Sequence, residues 1–193
     1  MGNRENTSSP VRLTYADLRC LPDDGMRHEL IDGEHYMTPA PTHGHQQVAM
    51  NVAGHLFMFL REHRRGRVYM APLDVLFSDE DVVEPDVLYV SKKRLRAQQD
   101  ERFLTVVPDL VVEVLSPSTR RVDRGAKRSL YERQGVTEYW LIDAVLETVQ
   151  VFRLKRGHFE LAADLIRQRG DAAAALSTPL LPGFRILLDE VFD

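Results

Sequence analysis

The stretch Pro108-Asp109-Leu110-Val111-Val112-Glu113-Val114-Leu115-Ser116-Pro117-Ser118-Thr119 decides how this chain is read. From Asp109 to Leu115 it reads as a strand, and from Leu110 onward it is apolar on both faces. That is the pattern of a strand covered on both sides. Glu113 is the exception. A carboxylate there is expensive to desolvate unless an arginine, a group of backbone donors or a metal ion compensates it. Ser116-Pro117-Ser118-Thr119 ends the strand. A helix is expected from about Arg121 to Gln134, stopped by Gly135, and then a strand from Val136 to Ile142. Val149 to Leu154 and His158 to Ala162 pair across Lys155-Arg156-Gly157, and Leu187 to Phe192 closes the chain as a helical turn.

Upstream of the stretch, Val82 to Val90 and Arg67 to Phe77 are strand candidates, the latter interrupted by Pro72. Ser91 to Arg102 is highly charged and reads as a solvated helix or loop. From His45 to about His63, Val48, Ala49, Val52, Leu56, Phe59 and Leu60 recur at helical spacing, which predicts the longest helix. Arg27 to Ile31 and Glu34 to Met37 flank Asp32-Gly33, a hairpin signal. Thr14 caps a short helix through Leu18. Residues 1–10 read as a disordered lead and 11–193 as one domain. Strands alternating with two substantial helices predict an α/β or α+β mixed sheet flanked by helices, with an N-terminal helix and hairpin and a C-terminal β-hairpin extension.

Composition narrows the function classes. The chain has 193 residues, 44% hydrophobic and 28% charged, as in ordinary globular proteins. One cysteine, Cys20, excludes a disulfide framework. No apolar run reaches membrane-spanning length, and the polar start lacks a signal-peptide pattern, so a cytoplasmic location is expected. The net charge of −4 argues against non-specific polyanion binding but allows a local basic groove. Only four basic residues are lysines: Lys92, Lys93, Lys127 and Lys155.

Asp86 is the second candidate for chemistry. On a strand from Val82 to Val90 it shares a face with Glu84, Leu88 and Val90. Pro85 cannot donate to a ladder, so the strand enters from an edge or bulge. Asp79 to Asp81 reads as a charged turn. If the strands of Asp86 and Glu113 are neighbours, the two carboxylates converge on one hard cation, which takes oxygen ligands and keeps several waters. Lys127 borders the apolar side of its helix, with Tyr131 at i+4 and Asp123 one turn earlier. It either reaches under the helix to Glu113 or pairs with Asp123 on the surface.

Arg27 to Gly33, Glu84-Pro85-Asp86-Val87, Pro108 to Thr119, Lys127 to Tyr131 and Gly135 to Asp143 together resemble the Uma-type restriction endonuclease family of the PD-(D/E)XK nuclease superfamily. The resemblance spans about Thr14 to Phe192. It implies a restriction-endonuclease-like core and a metal-dependent endonuclease acting on DNA. Asp86 and Glu113, with the Val114 main-chain carbonyl, would hold Mg²⁺ or Mn²⁺, and no organic cofactor is implied. The orthodox lysine position, two after the glutamate, is Leu115 here. Lys127 matches the variant that moves the lysine to a neighbouring helix, and Tyr131 would position it or a phosphate. Glu29 either joins the site or pairs with Arg27. His45 either contacts substrate or metal, or is satisfied by the main chain. Arg120 to Arg133 carries a net +4, so Arg120, Arg121 and Arg124 are the candidate nucleic-acid contacts. A homodimer is expected, with the hairpin from Val149 to Ala162 as a candidate edge. The alternative is an inactive nuclease-fold module that binds DNA or protein.

Overall fold

A computed structural model describes residues 11–168 and 173–193, so the disordered lead expected at 1–10 lies outside the described residues. In chain order the elements are α1 (Tyr15–Leu18), β1 (Arg27–Ile31), β2 (Glu34–Thr38), α2 (His43–His63), β3 (Gly66–Met70), β4 (Val75–Ser78), β5 (Asp81–Val83) and β6 (Val87–Ser91). Then come α3 (Lys92–Leu95), β7 (Leu110–Leu115), α4 (Arg120–Val122), a π-helical turn (Asp123–Lys127), α5 (Arg128–Gln134), β8 (Glu138–Asp143), β9 (Thr148–Lys155), β10 (His158–Ile166), β11 (Ala175–Ser177), β12 (Arg185–Leu187) and α6 (Leu188–Phe192).

A six-stranded sheet, ordered β10-β9-β8-β7-β6-β3, forms the centre. Only β7 and β8 run parallel, joined through α4 and α5, and every other neighbour is antiparallel. The sheet is therefore mixed, as expected. Both faces of β7 are covered. Leu110, Val112 and Val114 pack with Val52, Leu56 and Leu60 of α2, and with Leu176 and Ile186 of the β11–β12 pair. Val111 and Leu115 pack with Leu130 and Tyr131 of α5. The five apolar side chains of β7, at roughly 2 kcal/mol each, outweigh the several kcal/mol that burying Glu113 demands. The strand therefore forms around the carboxylate.

The helix ends follow local chemistry. Thr14 and Asp17 make a reciprocal capping box on α1. Gly135 ends α5 at φ 78°, a left-handed position that suits glycine. The Asp32-Gly33 turn has φ values of 53° and 72°, which is the geometry of the expected hairpin.

Two expectations are corrected. Val82 to Val90 is not one strand: Glu84-Pro85-Asp86 separates β5 from β6. Likewise Arg67 to Phe77 divides into β3 and β4 around Pro72. In each case the two halves enter different sheets, because β4 and β5 join β1 and β2 in a four-stranded sheet ordered β2-β1-β5-β4. The acidic turn is also more than a solvated feature. Asp81 is buried, accepts from the Asp32 backbone N–H at 2.9 Å and pairs with Arg133 at 2.6 Å. The expected helix from Arg121 to Gln134 forms, but its first half contains the π-helical turn. No helix among the described residues is long and apolar enough to cross a membrane.

Candidate active site

The antiparallel register between β6 and β7 pairs Val87 with Val112 and Leu88 with Val111. One step earlier, Asp86 falls opposite Glu113. Its carboxylate accepts from the Val114 backbone N–H through Oδ2 at 2.9 Å. A strand residue presents its N–H and C=O to the same edge, so the Val114 carbonyl lies on the edge that Asp86 faces.

Glu113 is on the face covered by α5. Its Oε1 accepts from Tyr131 Oη at 2.6 Å and from Lys127 Nζ at 3.1 Å. Oε2 takes part in neither bond. Lys127 is buried and also lies 2.8 Å from Glu29 Oε1 and 3.8 Å from Asp123 Oδ1. It is therefore a buried residue of the cleft, not a surface lysine. The π-helical turn brings Asp123 and Lys127 inward together, a local irregularity of the kind that recurs at functional sites. Tyr139 Oη steadies this turn by donating to the Asp123 carbonyl at 3.1 Å.

Glu29 comes from β1 in the smaller sheet. Its Oε1 accepts from the Glu84 backbone N–H at 2.7 Å as well as facing Lys127. The expected pair between Glu29 and Arg27 is not made. Arg27 instead lies 3.0 Å from Asp86 Oδ1 through Nη1. Thr42 caps α2 and accepts from the His45 backbone N–H at 3.3 Å. This directs the His45 ring at Asp86, with Nε2 at 3.1 Å from Oδ2. His45 Nδ1 is buried without a hydrogen-bond partner, as is Asp123 Oδ1. Both residues line a cleft of about 200 Å³ with Arg27, Glu29, Asp86, Glu113 and Lys127, walled by residues 38–42 and 116–119.

Electrostatics divides the carboxylates into two kinds. Burial works against the Asp86 carboxylate, but His45, Arg27 and Lys127 outweigh it and hold its pKa at about 2. Burial pushes Glu113 up to about 8; Lys127 opposes this, while Asp86, Asp123 and Glu29 add to it. Asp123 rises to about 6 for the same first reason, burial. Burial also works against the Lys127 ammonium. The carboxylates of Glu113, Glu29 and Asp123 prevail, so its pKa stands above the ordinary lysine value.

Leu115 is buried among Leu130 and Tyr131, so a lysine two residues after Glu113 would point into an apolar layer. Lys127 delivers an amine to Glu113 from the helical connection between β7 and β8. Arg120, Arg121 and Arg124 do not line the cleft. Arg120 lies 2.8 Å from Asp143, Arg124 donates to Gln150 at 3.0 Å, and Arg121 is exposed. Two charged cleft residues were given no site role from the sequence, Arg27 and Asp123. Asp123 was marked only by its position one turn before Lys127, and Arg27 only as a possible partner of Glu29.

Among the described residues no three or more His, Cys, Asp or Glu side chains are arranged as a ready-made metal site. The donor set nevertheless suits Mg²⁺ or Mn²⁺. Such ions bind through one or two carboxylates and retain waters, and here Asp86 and Glu113 line one cleft beside a backbone carbonyl, with Asp123 Oδ1 buried in the same cleft without a hydrogen-bond partner among the described residues.

The mixed sheet, its flanking helices and the acidic cleft define a nuclease-like fold. A crystal structure described as a putative nuclease belonging to DUF820, from Anabaena variabilis, superposes with a TM-score of 0.77 at 19% identity, covering 93% of this chain and 97% of that one. The chain belongs to the Uma2 family, whose model, described as "Putative restriction endonuclease", matches residues 15–189. The uncharacterized protein slr1290 of Synechocystis sp. is 29% identical over 119 residues, a match that spans 60% of this chain and 60% of that relative.

Proposed function

We propose that this protein is a Mg²⁺- or Mn²⁺-dependent endonuclease that hydrolyses phosphodiester bonds in DNA. The observation that carries this reading is the grouping of Glu29, Glu113 and Asp123 around Lys127, with Asp86 lining the same cleft. Ionised, the four carboxylates exceed the charges of Arg27 and Lys127, so the cleft repels a phosphate unless a divalent cation balances it.

Asp86 and Glu113, with the Val114 carbonyl, would hold the cation. Such an ion would supply polarisation of a phosphate oxygen and a water of lowered pKa. Lys127 would orient the attacking water and stabilise developing negative charge, since its ammonium is fixed on three sides. Tyr131 holds Glu113 in place through Oε1, which leaves Oε2 for the cation. His45 keeps Asp86 oriented from the opposite flank. The surface basic residues Arg120, Arg121 and Arg124 would steer the duplex by phosphate contacts, which carry no sequence information.

The test is cleavage of supercoiled plasmid by purified protein with Mn²⁺, Mg²⁺ or EDTA. Cleavage that requires the cation and disappears in both Asp86→Asn and Glu113→Gln supports the reading. Cleavage that persists in both variants refutes it. A homodimer would place two such clefts on two strands. The edge strand β10 pairs only with β9 among the described residues and exposes Leu161 and Ile166, which makes it the candidate contact. Sedimentation equilibrium checks it: a dimer that Leu161→Lys dissociates supports this edge, and a monomer refutes it.

A second reading has its own observation. Arg27 is already paired with Asp86 and Leu115 replaces the orthodox lysine, so a nuclease-fold module that binds nucleic acid or protein without turnover is the alternative. Calorimetric titration with Mn²⁺ separates the two, since the module need not bind the cation through Asp86 and Glu113.

A further inference from the structure

Arg27 and Glu29 lie two apart on β1, so their side chains leave the same face of the strand. They nevertheless serve different partners. Glu29 turns to Lys127, while Arg27 Nη1 lies 3.0 Å from Asp86 Oδ1 and 3.2 Å from the Glu84 carbonyl. Its Nε is 3.6 Å from Glu84 Oε2. The Arg27 side chain is 18% exposed, on the wall of the cleft.

The two oxygens of Asp86 are held unequally. Oδ2 is fixed by the Val114 N–H and by His45. Among the described residues Oδ1 has one side-chain partner, Arg27. A cation that takes Asp86 through Oδ1 therefore meets Arg27 at that atom. Two positive groups on one carboxylate oxygen repel each other, and an arginine cannot shed its charge to relieve this.

We propose that Arg27 is a phosphate-contact residue: it is the counter-ion of Asp86 that a divalent cation displaces, and the displaced guanidinium binds a non-bridging oxygen of the DNA phosphodiester. This inference rests on the metal-dependent reading of the cleft. Coupling the two events keeps the cleft's charge balanced. The cation replaces Arg27 on the carboxylate, and the arginine, with its planar fork of donors, meets the anion that the cation has made admissible. Lys127 is not free for this part, because three carboxylates already hold its ammonium and the proposed reaction uses it on the attacking water.

The test uses the full chain and readouts other than turnover. Mn²⁺ affinity is measured by calorimetry, and affinity for a fluorescein-labelled duplex in Ca²⁺ by anisotropy. Arg27→Gln removes the competing charge, so Mn²⁺ should bind about tenfold more tightly and the duplex about tenfold more weakly, in line with the loss of one charge-assisted bond. Arg27→Lys keeps a charge without the fork, so Mn²⁺ affinity should stay near wild type while duplex affinity falls. Thermal unfolding of each variant establishes that it is folded, and if Arg27→Gln is not, Arg27→Lys alone decides. Unchanged or weakened Mn²⁺ binding in folded Arg27→Gln overturns the proposal and makes Arg27 a structural ion pair. Wild-type duplex affinity in Arg27→Lys also overturns it. Asp86→Asn distinguishes the underlying reading: if it binds Mn²⁺ as wild type does, the metal site itself is misplaced.

Discussion

Replacing Glu113 with Gln removes a charge from the middle of β7 and keeps its shape. The glutamine carbonyl can accept the same two bonds, from Tyr131 and from Lys127, that Oε1 accepts now. Burial first, and then neighbouring carboxylates, raise the Glu113 pKa from 4.5 to about 8 in the folded chain. A carboxyl with a raised pKa binds its proton more tightly folded than unfolded, so stability falls as pH rises between those two values. Linkage sets the accumulated loss at about 1 kcal/mol at pH 5, about 2 at pH 6 and about 4 at pH 8. Glutamine does not titrate and carries none of this loss. Lys127 keeps Glu29 and Asp123 as counter-charges, and any constant offset from the lost pair cancels when pH values are compared. The expected outcome of urea unfolding in EDTA is a variant that gains about 3 kcal/mol on wild type from pH 5 to pH 8. In the same variant cleavage should disappear. A stability difference that is flat with pH, or that grows in favour of wild type, refutes the reading that burial raises the Glu113 pKa in the folded chain.

Three further outcomes follow from the packing and from the cleft. Leu115→Lys should not supply a working amine, because the side chain enters the layer of Leu130 and Tyr131; denaturant unfolding should show a loss of about 3 kcal/mol or more. Tyr131→Phe removes the donor to Glu113 and should lower unfolding stability by about 1–3 kcal/mol, read from the shift in denaturation midpoint at constant slope. Magnesium at one hundred times its dissociation constant should stabilise the wild type by about 2.7 kcal/mol in calorimetric unfolding, and leave Asp86→Asn unmoved; equal stabilisation of both proteins would place the cation elsewhere.

The legibility of the sequence varied with how local the deciding physics was. The two-faced apolar run of β7, the helical spacing of α2, the Asp32-Gly33 turn and the Gly135 stop are each written into a few adjacent residues, and the structure contains them. The division of Val82 to Val90 was not legible in the same way. The side-chain alternation runs straight through Pro85, and only the pairing of β5 with β1 and β4 shows that the chain changes sheets there. The π-helical turn leaves no periodic mark, since one widened turn shifts the pattern by less than the scatter of apolar positions. For Glu29 the sequence offered a pair with Arg27 as one reading, and the structure pairs it with Lys127 instead.

By itself the sequence determined the chemistry that is locally improbable: a carboxylate inside an apolar strand, an aspartate after a proline that breaks a ladder, and a lysine in a chain that uses few. Covalent neighbours and strand period suffice to make these residues costly unless they are partnered. What only the tertiary structure decided is who partners whom. Register sets Asp86 against Glu113, the smaller sheet brings Glu29 to Lys127, and Arg27 passes over its near neighbour Glu29 to lie on Asp86. These contacts join residues up to nearly a hundred positions apart. Their energies depend on burial and distance in the folded chain, and no local pattern records either.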